Sequence, residues 1–366
     1  MRAAAAAPSR RQLSKWDRER RQMRLLWVGA GALVALVVLI LAGGWVLDHV
    51  VRPRDTVADV NGQQITAGQL LDAVRPQARA VDNQASAGTG DPSAVDQQKR
   101  ALPDQMLSTL VEQTIIQQEA DRRGITVSDD EVEQQLQQIL AQRQASSQPT
   151  PAPTPSPADV GAAPTTPTPL PTLEPDAGSA ALQTLLNQTG FTDSQVRYQV
   201  RQEVLYNKVQ AAVVAEQVPT SQEQIHARHI LLKTQDDANN ALQQLQNGAD
   251  FGQLAQQVST DPGSKDKGGD LGWFPRGIMN KPFEDAAFAL QPGQTSGVVQ
   301  SPSGYHIIQV LEQDPNRPVA PDQLQTLQSQ AFNTWLQSRQ TGSDVHQTLS
   351  DTDRDWILVQ LGVRPS

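Results

Sequence analysis

The chain reads as an α+β domain joined to a helical domain and preceded by one transmembrane helix, and three observations predict this. An uncharged apolar run fills residues 25–47, amphipathic helical patterns bracket a proline-rich stretch at 146–180, and strand and helix signals intermix from about residue 225. At 366 residues, 38% hydrophobic and 19% charged, the chain has the length for two or three domains. It is less apolar than an average globular sequence, which points to some segment that does not pack.

The run LLWVGAGALVALVVLILAGGWVL at 25–47 carries no ionisable side chain. At about 1.5 Å of rise per helical residue it crosses the roughly 30 Å hydrocarbon core of a bilayer. A cleaved signal peptide fits less well, because its apolar region is normally about 7–15 residues and no clean A-x-A site follows. Arg10, Arg11, Lys15, Arg18, Arg20, Arg21 and Arg24 precede the run, whereas only Arg52 and Arg54 follow closely. The positive-inside rule then makes residues 1–24 a basic cytoplasmic tail of a single-pass cell-membrane protein and puts the bulk of the chain outside the cytoplasm. Trp27 and Trp45 stand near the two ends, where interfacial indoles are common.

From Asp48 onward, 22 basic side chains face 37 acidic ones, a formal charge near −15. Nucleic-acid binding is excluded on that balance, since phosphate affinity comes from clustered Lys and Arg; the acidity reads as solubility. Cysteine is absent, so the chain has neither a disulfide framework nor a thiolate nucleophile nor a thiol for a lipid.

A helical domain is expected over 55–222. Met106, Leu107, Leu110, Val111 and Ile115 follow helical spacing until Gly124. Ser128 with Glu131 forms a capping-box pattern ahead of Val132, Leu136, Ile139 and Leu140, and Thr192 with Gln195 repeats it ahead of Val196, Val200 and Val204. Between these helices, residues 146–180 hold ten of the 25 prolines with no aromatic and no basic residue, which predicts an extended surface insertion.

The α+β domain is expected over 223–313. HARHILL (226–232) and GYHIIQVLE (304–312) read as strands, and Ala238–Leu245 and Phe251–Val258 as helices. Four of the six phenylalanines, Phe251, Phe274, Phe283 and Phe288, fall here, marking one compact core or one pocket. Residues 314–366 form a C-terminal extension with a helix on Leu324, Leu327, Ala331, Trp335 and Leu336.

The blocks ARHILL, STDPGSKDKGGDLGWF, RGIMNKPFEDAAFAL and SGYHIIQV, in this order over roughly 225–313, resemble the parvulin family of peptidyl-prolyl isomerases. The segment DTVADVNGQQITAGQLLDAV (55–74), with the helices after it, is similar to the chaperone domain of extracytoplasmic foldases of the PrsA and SurA type. The resemblance implies a small antiparallel sheet flanked by helices and, as function, isomerisation of X-Pro bonds together with chaperoning of unfolded or translocating polypeptides. It implies no cofactor and no metal.

By the same resemblance, Leu271, Met279, Asn280 and Phe283 form the substrate pocket, and His229, Asp261, Ser303 and His306 are the catalytic polar set at its floor. Two bland alternatives stand beside these roles. The apolar three are equally what an ordinary core uses, and two histidines on two strands equally serve as a structural link that fixes a sheet. A thiolate mechanism is ruled out by Asp261 at a position that is Cys or Asp in relatives. Phosphate-specific relatives carry a basic cluster after the first strand; here Lys233 is followed by the acidic TQDDANN, so an unmodified X-Pro segment is the expected substrate.

Rival chemistry is weaker. Ser303, Asp261 and either His306 or His229 could be a hydrolase triad, yet no G-x-S-x-G elbow is present. His226 and His229 lie three apart on a strand, which sends them to opposite faces and argues against a metal pair. The serious alternative is a tethered holdase whose isomerase domain only binds.

Overall fold

The structure is a computed structural model that describes residues 36–87, 91–147 and 175–364. The basic tail, residues 25–35 of the expected span and most of the proline-rich stretch lie outside the described residues. The described part of the span belongs to α1 (Leu36–Arg54), 19 residues that are apolar and long enough to cross a membrane, with the side chains of Leu36, Leu39, Ile40 and Leu41 exposed.

Two compact units divide the described chain. One takes the residues up to Gln118, Val127–Gln202 and those from Gly342; the other takes Glu119–Thr126 and Glu203–Thr341.

In the first unit, β1 (Thr56–Val60) and β2 (Gln63–Thr66) form a hairpin whose two turn residues, Asn61 and Gly62, both have positive φ (54° and 85°). An Asn-Gly pair supplies the type I′ geometry that matches strand twist. The hairpin leads into α2 (Ala67–Ala87), and α3 (Pro92–Arg123), α4 (Asp129–Ser147) and α5 (Pro175–Thr189) follow; the end of α3 and the part of α6 (Asp193–Gln217) from Glu203 onward belong to the second unit. Both capping boxes form: the Ser128 N–H donates to Glu131 Oε2 (2.8 Å) and the Thr192 N–H to Gln195 Oε1 (2.9 Å). Val111, Ile115, Val132, Leu136, Leu140, Val196 and Val200 are buried, as their spacing requires, whereas Met106 and Leu110 stay partly exposed.

Two segments differ from the sequence expectation. Residues 146–147 and 175–180, assigned to the proline-rich insertion on composition, are helical. Pro175 sits at the first position of α5, where a missing N–H and a fixed φ cost nothing. The C-terminal extension is divided: β7 (Val345–Gln347) pairs with β1 through Ala58↔Gln347 and Val60↔Val345, and α11 (Asp351–Gln360) buries Trp356, Ile357 and Leu358 in the first unit.

The second unit is built on an antiparallel sheet ordered β4-β3-β6-β5, from β3 (Ser221–Leu232), β4 (Asp270–Pro275), β5 (Val299–Ser301) and β6 (Gly304–Pro318). The expected helices are present as α7 (Gln235–Gln246) and α8 (Phe251–Val258), followed by α9 (Lys281–Phe288) and α10 (Pro321–Gln340). Strand alternation sorts the core into two sets. Ile230, Leu232 and Ile307 pack with α7 and α8, while Ile225, Ala227, Ile308 and Val310 pack with Phe274 and with Phe283 and Ala287 of α9.

Candidate functional site

The site lies on the face of the sheet that α9 covers. β3 and β6 are neighbours in the register His229↔Ile308 and Leu231↔His306, so both imidazoles rise from the same face. They stack with centroids 5.4 Å apart and an interplanar angle of 23°, with Nδ1 facing Nδ1 at 3.2 Å. The loop after α8 brings Asp261 Oδ2 to 3.0 Å and Ser264 Oγ to 3.1 Å from His229 Nε2, and the Ser264 hydroxyl donates to the same carboxylate oxygen.

Close approach of that loop needs a particular residue. Gly269 has φ of +83°, its carbonyl accepts the His229 N–H at 2.9 Å, and a Cβ there would lie 2.1 Å from the His229 carbonyl oxygen. Only glycine fits.

The hydrogen bonds assign the tautomers when both rings are neutral. His229 Nε2–H donates to Asp261, leaving its Nδ1 as an acceptor for His306 Nδ1–H. His306 Nε2 then accepts the Ser301 hydroxyl, at 2.7 Å. Burial first, then the neighbouring His229, push the His306 pKa down to about 4, so this ring is neutral near pH 7. Burial raises the Asp261 carboxyl, but hydrogen bonds from Ser264, His229 and the Gly263 N–H outweigh it and hold the pKa at about 2. A directed chain therefore runs from the Ser301 hydroxyl through two imidazoles to a carboxylate.

Phe283 closes over this chain. Its ring is edge-on to His229 (5.7 Å, 79°) and to His306 (5.2 Å, 80°) and is 2% exposed. Phe274 lies 6.2 Å from both Phe283 and Phe288, and Leu271 and Met279 pack, half-buried, on the same cluster. Phe274, Phe283 and Phe288, three of the six phenylalanines, thus form one aromatic wall beside the polar floor.

Among the expected residues, His229, His306, Asp261, Leu271, Met279 and Phe283 come together, and two do not join them as read. The hydroxyl on His306 is that of Ser301; Ser303 is exposed and gives its N–H to Ser301 Oγ (3.0 Å). Asn280 is exposed and caps α9, its side-chain oxygen accepting the Phe283 N–H (3.2 Å). Ser264 carried no signal beyond lying within the second block, and Ser301, two positions ahead of the last block, carried none. α10 adds support: Gln323 Nε2 donates to the Trp273 carbonyl at 2.8 Å, and a Cβ on Gly277 would lie 2.8 Å from Leu327 Cδ2. The strand and turn that carry Leu271 and Met279 are thereby held from outside.

Two family models match the chain, a PPIC-type PPIASE domain over residues 212–314 and a SurA-like N-terminal domain over 18–148. Foldase protein PrsA of Oceanobacillus iheyensis is 42% identical over 123 residues, 31% of this chain and 41% of that protein. Foldase protein PrsA of Caldanaerobacter subterraneus is 30% identical over 274 residues, 69% of this chain and 72% of that protein. Among solved structures, the peptidylprolyl isomerase PrsA of Bacillus anthracis aligns with 71% of this chain and 99% of its own at 25% identity, with a TM-score of 0.38. The resemblance read from the sequence blocks holds: this chain belongs to the PrsA family of foldases and carries a peptidyl-prolyl isomerase domain of the PPIC type.

Proposed function

We propose that the chain is a membrane-tethered foldase whose second unit isomerises X-Pro bonds in unmodified, extended polypeptides and whose first unit holds such polypeptides. The observation that carries this reading is the polar chain Ser301–His306–His229–Asp261 lying directly under an apolar wall of Phe283, Met279 and Leu271. Rotation about an X-Pro bond crosses about 18–20 kcal/mol without breaking a covalent bond, so the catalyst need only hold the twisted amide better than the planar one. An apolar recess takes the pyrrolidine ring. The hydrogen-bonded chain Ser301–His306–His229–Asp261 sets the polar floor beneath an amide that has lost resonance and behaves as a separate carbonyl and amine.

Phosphate is disfavoured by the segment after β3, where Asp236 and Asp237 occupy the first turn of α7. α1 supplies the tether, with the preceding basic tail on the cytoplasmic side and both units outside. A holdase with a silent isomerase unit is the second reading, and the burial of both imidazoles, 6% and 3% exposed, favours it because a buried pair suits a structural link.

A protease-coupled assay of a short X-Pro peptide, run on the full chain in detergent, separates the two. Wild type should accelerate isomerisation, Met279→Ala should cut kcat/KM by about tenfold, and Phe283→Ala by about a hundredfold, with the far-ultraviolet spectra unchanged. A phosphorylated Ser-Pro peptide should be the poorer substrate. No acceleration by a natively folded chain would leave the holdase.

A further inference from the structure

The first unit contains a groove that the isomerase site does not use. Its apolar part comes from Met106 and Leu110 of α3 with Phe191 and Tyr198 near the start of α6, and Tyr198 is 55% exposed. Around these stand Gln77, Gln113, Gln199 and Gln202, whose carboxamides have no hydrogen-bond partner among the described residues. A carboxamide offers both an acceptor and donors, so it can pair with the N–H and the C=O that a peptide backbone presents. Asp72 is the one charged lining residue among those described, and it is paired with Arg75 at 3.0 Å. In a chain of formal charge −9, so neutral a groove selects an uncharged occupant.

The groove also borders an open sheet edge. Its lining includes Gln63, Gln64 and Ile65 of β2, the outer strand of the order β2-β1-β7. The Asn61 N–H donates to the Asp344 carbonyl and the Thr348 N–H to the Val57 carbonyl, so the odd-numbered residues along β1 face β7. Ala58 and Val60 therefore bond Ile65 and Gln63, and the N–H and C=O of Gln64 point away from the sheet. Such an edge is a template for another extended chain.

We propose that this groove captures an extended, uncharged polypeptide segment, held through its backbone by Gln64 and the glutamine carboxamides while its apolar side chains rest on Met106, Leu110 and Tyr198. The inference rests on the chaperone half of the proposed function and names the chemistry that half recognises. Because the backbone is the recognised element, capture tolerates many sequences, as a foldase for diverse clients requires.

The test uses the full chain in lipid nanodiscs, with empty nanodiscs as the blank, and follows the anisotropy of a fluorescein-labelled, uncharged peptide alternating Leu or Phe with Ser and Thr. The same peptide N-methylated at alternate amides should bind about tenfold more weakly to wild type. Tyr198→Ala should lose a similar factor for the unmethylated peptide, as should Gln64→Pro, which deletes one outward donor on an edge strand where proline is tolerated. Val359→Ala, exposed on α11 and outside the groove, should bind as wild type does. Equal binding of the two peptides, or wild-type affinity in Tyr198→Ala, overturns the proposal. Should Gln64→Pro not fold, the methylated comparison on wild type decides alone. Isomerisation by the same wild-type preparation keeps the failures apart: capture absent with isomerisation present overturns the groove only, and both absent in a folded chain overturns the wider reading.

Discussion

Ser301 and Ser303 differ by two positions and by their place in a hairpin. Ser301 pairs with Gly304 at the end of β5, while Pro302 and Ser303 form the turn, so the first hydroxyl faces His306 and the second faces solvent. Sequence blocks located the segment but not this offset, because which serine points inward depends on turn geometry rather than residue type. Ser301→Ala should lower kcat/KM for an X-Pro peptide by about three- to tenfold, the scale of one lost hydrogen bond to an imidazole, and Ser303→Ala should leave it near wild type. Equal effects would place the polar chain elsewhere. His306 gives a second test. Its unfolded imidazole takes up a proton near pH 6.5 and its folded one only near pH 4. The unfolded chain therefore binds more protons between those values, and stability is full above pH 6.5 and drains as pH falls toward 4, by about 2–3 kcal/mol. Denaturant unfolding of the second unit should show that slope, and His306→Asn should flatten it; an unchanged slope in the variant would mean the ring is not held neutral.

At the scale of elements, what was legible had local causes. The capping boxes at Ser128 and Thr192 bond as their spacing requires, and Val132, Leu136 and Leu140 face inward because one helical stripe was apolar. β3 and β6 were legible too, through their alternating patterns. α10 was legible as a helix but not in its task, since its contacts join residues some 50 positions apart. Gln323 holds the Trp273 carbonyl and Leu327 covers Gly277, next to the turn that presents Met279, although α10 lies beyond residue 314, where the isomerase domain match ends. Leu327→Ala should loosen that turn and raise KM about three- to tenfold with a smaller change in kcat, because a mobile pocket wall weakens binding before it alters the polar floor. A fall in kcat at unchanged KM would contradict this placement.

At the scale of the whole molecule, the chain leaves its first unit and returns to it. Residues 342–364 close that unit: the Thr348 N–H bonds the Val57 carbonyl at 2.8 Å, β7 completes the sheet, and Trp356, Ile357 and Leu358 are buried. Periodicity could not reveal this, since strand pairing across nearly three hundred residues leaves no local trace. A chain ending at Thr341 should lose on the order of 5 kcal/mol from the first unit, judged by three large buried side chains, yet keep isomerase activity, because the second unit ends there. A first unit that melts unchanged would contradict the shared construction. The account as a whole turns on whether the second unit rotates X-Pro bonds. Exchange NMR on a short unphosphorylated X-Pro peptide, with a catalytic amount of the full chain, reads that rotation directly. Cis-to-trans exchange cross-peaks with wild type, absent with Phe283→Ala, are the predicted result; no exchange with a natively folded wild-type chain would contradict it.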